Sequence, residues 1–198
     1  MPEDRLPPLE QLRGLLLAED EAGLLAFSRQ YRRTLSYLTA LTYDTDPVLA
    51  WAAIHGMGLV AADLADSDPD FVRQHLRRLV WLLNDESGGI GWRAPEALGA
   101  IIAARPDCFE DYIPILVSLL DMEAADADRF RSGYLWAIGR LAQVAPGLAS
   151  QALPRVLPFL DDPDPQVRAL AQWCLNQFQP SPDQSASRHF PGPIIPQE

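Results

Sequence analysis

Four tetrapeptides, His55-Gly56-Met57-Gly58, Glu96-Ala97-Leu98-Gly99, Trp136-Ala137-Ile138-Gly139 and Trp173-Cys174-Leu175-Asn176, recur with their last positions 41, 40 and 37 residues apart. Each follows a stretch with its own apolar helical face, at 35–41, 71–83, 112–120 and 153–160. A period near forty with two helices per unit, here A and then B, restricts the chain to a stack of hairpins. Fixing a backbone costs about 1–2 kcal/mol per residue and each buried Leu or Ile returns about 1.5–3 kcal/mol, so one hairpin cannot hold itself and several stacked ones can. The spacing predicts an all-α fold, an α-α superhelix of about four helical hairpins.

Upstream, apolar residues at helical spacing from Leu6 to Tyr43 predict two or three helices, and this segment reads as an N-terminal cap on the stack. Gly58, Gly99 and Gly139 lie inside B helices, where glycine costs about 1 kcal/mol against alanine, and a close approach by the paired A helix is the expected compensation. Prolines punctuate the hairpins at Pro47, Pro69, Pro106, Pro146, Pro163 and Pro165. Pro114, Pro154 and Pro158 fall early in or within A helices, where a bend or late start is expected. The helical domain is expected over 1–178. Residues 179–198, rich in Pro, Ser and Gln with little to bury, read as a disordered tail.

Composition narrows the chemistry. All sixteen basic residues are arginine and lysine is absent, which excludes a Schiff-base lysine and a Walker-type phosphate loop. The formal charge of −11 opposes a phosphate backbone, so nucleic acid is disfavoured. Cys108 and Cys174 are far apart and in no metal-ligand spacing, and both read as small buried apolar residues. His55, His75 and His189 form no ligand pair, so neither a metal nor a cofactor is expected. No run approaches the eighteen or so uncharged apolar residues of a membrane span. Met1-Pro2-Glu3-Asp4 is acidic where a signal peptide is basic, and a cytoplasmic location is expected.

The segment 160–171, Leu-Asp-Asp-Pro-Asp-Pro-Gln-Val-Arg-Ala-Leu-Ala, resembles the most regular units of HEAT and phycobilisome-lyase-type HEAT-like repeats, in which an Asp-Pro turn precedes Val-Arg on the next helix. The resemblance covers about 35–178 and implies a HEAT/armadillo-like solenoid that binds other macromolecules. Val167-Arg168 matches the pair and Phe130-Arg131 nearly does, whereas Leu49-Ala50 and Ile90-Gly91 depart from it. Asp-Glu-Ser-Gly-Gly-Ile-Gly-Trp at 85–92, Pro95-Glu96-Ala97 and the segment 134–141 also resemble small bacterial HEAT-like proteins with no assigned activity.

Aligned on the shared glycine, Trp51 and Trp92 share one row and His55, Glu96, Trp136 and Trp173 another, with Arg140 in a third, all on one helical stripe. Such a stripe is either a partner-binding groove or packing between repeats. The turn at 85–91 sets Asp85 and Glu86 beside Gly88, Gly89 and Gly91, longer than an ordinary hairpin turn and suited to a cationic or amide-rich partner or to elaborate capping. Arg93, Arg131 and Arg140 are the candidate counter-charges for Asp85, Glu86 and Glu96, or else salt links between repeats. The expected site is therefore Asp85, Glu86, Gly88, Gly89, Trp92, Arg93, Glu96, Arg131, Trp136 and Arg140, on a non-catalytic scaffold for a protein or cofactor-bearing partner. The alternative is an enzyme on the same scaffold, bilin-lyase-like or DNA-glycosylase-like, with Glu96 or Asp85 as general base beside Trp92. Arg73, Arg77 and Arg78 add a local basic run on the second A helix.

Overall fold

The computed structural model describes residues 7–83, 93–121 and 124–179, and of 124–129 the backbone alone. The expected tail from residue 180 onward and the turn residues Asp85, Glu86, Gly88, Gly89 and Trp92 lie outside the described residues.

All regular structure among the described residues is helical. Helices α1 (Pro8–Leu17) and α2 (Glu21–Gln30) form the cap and rest on the first B helix. Unit one pairs α3 (Thr34–Leu41) with α4 (Pro47–Ala65), and unit two pairs α5 (Pro69–Leu83) with α6 (Ala94–Ala104). Unit three pairs α7 (Ile113–Ser118), flanked by 3-10 turns, with α8 (Ala124–Val144). In unit four the A element is broken into α9 (Pro146–Ala149), α10 (Leu153–Val156) and intervening 3-10 turns, and α11 (Pro165–Asn176) is the B helix. Pro114, Pro154 and Pro158 sit where those A elements change type, because proline withholds the amide that a longer α-helix would need.

Two B helices begin alike. Asp46 and Asp164 accept from the amides of Val48 and Gln166 at 2.9 and 2.8 Å, each with proline at the first helical position.

The B helices pack directly on one another, α4 on α6, α6 on α8 and α8 on α11, through the glycine row. A Cβ on Gly58 would stand 3.1 Å from the Ala100 carbonyl oxygen, and one on Gly99 2.6 Å from Ala137 Cα. A Cβ on Gly139 would overlap the Trp173 ring. The neighbour that these glycines admit is thus the next B helix, not the paired A helix expected from the sequence. Side chains at that row would hold the B helices apart and open the single apolar core.

Ion pairs one period apart tie the outer edges together. Arg29 meets Asp63 at 2.5 Å, Arg32 meets Asp68 at 2.9 Å, Arg73 meets Asp111 at 3.3 Å and Arg155 meets Asp121 at 2.7 Å. Arg131 donates to Asp162, the turn residue of the next unit, over 2.8 Å, and Arg168 donates to the carbonyls of Asp162 and Pro163.

One sequence expectation needs correction. α4 has mean hydropathy 1.6 over 18 residues and, by length and composition alone, qualifies as a membrane span. Its apolar character has another cause: it is enclosed by the cap, α3 and α6 and is apolar nearly all round. Its one acidic residue, Asp63, is taken up by Arg29.

Candidate functional site

Relative to the shared glycine, α6 is the short member of the B row. It starts five residues before Gly99, whereas α4 starts eleven before Gly58. Beside the start of α6, aromatic side chains of α4 and α8 meet one another. The Trp51 and Trp136 rings lie 5.1 Å apart at 54°, and the His55 ring is 6.4 Å from each. The sequence register set Trp51 and Trp136 in different rows, and it is the shortness of α6 that lets them meet.

Arg93 and Glu96 join them at the start of α6. The Arg93 guanidinium lies over the Trp51 ring, 4.8 Å from its centroid, a cation–π arrangement, and its Nη1 donates to Glu96 Oε1 over 3.3 Å. Glu96 points toward α8, where Gly133 makes room for it: a Cβ there would come within 2.6 Å of Glu96 Oε2.

Glu96 is only 5% exposed, Trp51 6% and Trp136 2%. Burial pushes the Glu96 carboxyl up to about 7, with the Arg93 charge pulling the other way, so the group titrates near neutrality. Trp51 Nε1, Trp136 Nε1 and Glu96 Oε2 are all buried without a hydrogen-bond partner among the described residues. Leaving one such group unsatisfied costs about 1–3 kcal/mol, so the cluster is a local cost to the fold.

Of the described residues expected at the site, the structure brings Arg93, Glu96 and Trp136 together. The indoles are enclosed, not spread along an open groove. Arg131 pairs with Asp162 at the next turn over 2.8 Å. Arg140 donates to Gln143, which continues to Gln177 at 2.9 Å and so belongs to a polar row further along α8 and α11. Burial lowers the Arg140 pKa to about 10. Trp173 packs on Gly139. Trp51 and Gly133 complete the cluster although neither was among the expected site residues. The signal for Gly133 was a glycine one turn before Trp136 on the same helical face.

No described group of His, Cys, Asp and Glu has the arrangement of a metal site. Cys174 is fully buried and its thiol is pushed up to about 12, an inert core residue as expected. Cys108 is only half-buried, and its sulfur lies 3.1 Å from Arg105 Nη2.

Residues 128–178 match the HEAT-like repeat family. Among solved structures, the chain is similar to an archaeal HEAT-like repeats protein from Thermococcus onnurineus NA1, with 16% identity, 88% of this chain and 81% of that chain covered, and a TM-score of 0.39. No curated protein matches it.

Proposed function

We propose that this HEAT-like repeat protein is a non-catalytic scaffold that takes hold of a peptide segment of a protein partner where α4, α6 and α8 converge. The observation that carries the reading is the trio of buried, unpartnered polar atoms on Trp51, Trp136 and Glu96 within one aromatic cluster. An indole N–H only donates, so a cationic group, itself donor-only, leaves both indoles unsatisfied and meets Arg93 as a like charge. An amide carries an acceptor for an indole and a donor for Glu96. A backbone or Asn/Gln amide is therefore the favoured guest, and it enters where the half-exposed Arg93 swings aside, because the indole nitrogens and Glu96 Oε2 are closed to solvent while Arg93 covers them.

The test uses immobilised wild-type chain beside Arg93→Ala and Glu96→Leu versions as baits for a displayed peptide library. Peptides enriched on the wild type and lost on both variants, with far-UV circular dichroism unchanged, support the reading. Equal enrichment on all three removes the site.

A catalytic reading has one observation in its favour, an acid poised near neutrality beside an arginine and two indoles. Release of a base from damaged DNA by the wild type and not by Glu96→Gln would favour it, against the opposing charge of −11.

A further inference from the structure

The ladder of ion pairs occupies most described arginines, but Arg33, Arg77 and Arg78 have no hydrogen-bond or ion-pair partner among the described residues. Arg33 stands at the start of α3. Arg77 and Arg78 lie together on the outward side of α5, and Trp81, 65% exposed, follows them at helical spacing on the same face. Arg73, the third member of the basic run, is drawn away by the Cys108 carbonyl and Asp111.

The neighbouring A helices extend this face. Thr39 Oγ1 of α3 lies 3.1 Å from His75 Nε2 of α5, Arg32 pairs with Asp68 in the turns before these helices, and Tyr43, just after α3, is 45% exposed. On the other side, Tyr112 Oη donates to the Arg73 carbonyl over 3.2 Å, and Ile115 of α7 is exposed. In a chain with 27 acidic residues, the segments 33–43, 71–83 and 112–120 contain none, and the acidic residue of α5, Asp70, lies in its first turn, two turns before Arg77. Two guanidinium groups without an acidic partner and an exposed indole thus coincide on the later turns of α5.

We infer that the outer face of α5, between α3 and α7, docks an acidic segment of a partner protein that carries an apolar anchor. Carboxylates of the segment pair with Arg77 and Arg78, whose planar forks suit bidentate recognition, and the anchor covers Trp81. A nucleic acid is the poorer occupant, because its continuous run of phosphates meets the acidic remainder of the chain while a short segment need touch only this face. The surface is separate from the Glu96 cluster and does not depend on it.

The full chain is titrated, by fluorescence anisotropy, with a labelled glutamate-rich peptide bearing one central phenylalanine. Saturable binding that weakens with added salt, and that drops at least about tenfold in Arg77→Glu/Arg78→Glu and also in Trp81→Ala, is the expected result. Glu96→Leu should bind the peptide as the wild type does, which separates this proposal from the one above. No saturable binding, equal binding by the variants, equal binding of a lysine-for-glutamate peptide, or tighter binding of a single-stranded oligonucleotide would each overturn it.

Discussion

Glu96 on α6 and Gly133 on α8 fit one another: the carboxylate occupies the space that a β-carbon on Gly133 would take, 2.6 Å from Oε2 and 2.9 Å from Cδ. Pro95 lies 3.1 Å from the same point, so the obstruction is not only a flexible side-chain end. Gly133→Ala is expected to destabilise the fold by about 1–3 kcal/mol even though alanine is the better helix former. It should also shift the tryptophan emission, since Trp136 is one turn away. Chemical denaturation read by fluorescence checks both.

Two buried groups make stability depend on pH with opposite signs. Glu96 is raised from 4.5 to about 7, so its contribution is fully present below 4.5 and lost as pH rises through 7. His75 is lowered from 6.5 to about 4, first by burial and then by the Arg78 charge, so its contribution is present above 6.5 and lost as pH falls through 4. Glu96→Gln is expected to remove the fall toward alkaline pH, a gain of about 2–3 kcal/mol over the wild type above pH 7. His75→Gln should flatten the acid limb instead. Denaturation midpoints from pH 4 to 9 would show both limbs.

The glycine row separates packing from propensity. Gly99→Ala forces a methyl onto Ala137, and Gly139→Ala forces one into Trp173; each is expected to cost about 2–4 kcal/mol. Gly14 in α1 has nothing within 4 Å of its missing Cβ, and Gly14→Ala should gain about 0.5–1 kcal/mol. Three melting temperatures decide the matter. Equal shifts at all three would mean that the B helices do not meet through these residues.

The two cysteines should differ in reactivity. Cys108 is half-buried near Arg105, and Cys174 is enclosed. A thiol reagent under native conditions is expected to modify Cys108 and to leave Cys174 untouched until the chain unfolds. Peptide mapping after labelling reads this directly.

The architecture was legible because a forty-residue period is a property of the chain itself: the helical faces, the Asp-Pro starts at Asp46 and Asp164 and the proline-broken A elements all follow from residue type and spacing. The glycine row was visible, but not which neighbour it admits, since a missing side chain does not say what approaches it. The site was half legible. Arg93, Glu96 and Trp136 fall together as their spacing suggested, whereas the contact between Trp51 and Trp136 depends on where α6 begins, which no register counted from the glycines reveals. For Arg131 and Arg140 spacing alone left two readings open, and among the described contacts Arg131 reaches Asp162 of the next unit and Arg140 reaches Gln143.

The ion-pair ladder has a mechanical consequence. Along the inner row, helices touch through glycines against backbone or, at Gly139, against the Trp173 ring, and cannot be squeezed; along the outer edge they are joined by long arginines reaching across solvent, each link worth about 0–1 kcal/mol and screened by salt. The stack therefore behaves like a leaf spring clamped on one side, whose curvature is set by the rungs on the other. High salt is expected to splay it, increasing the radius of gyration in small-angle scattering with helical content unchanged. A guest seated against α5 would be gripping the side that flexes.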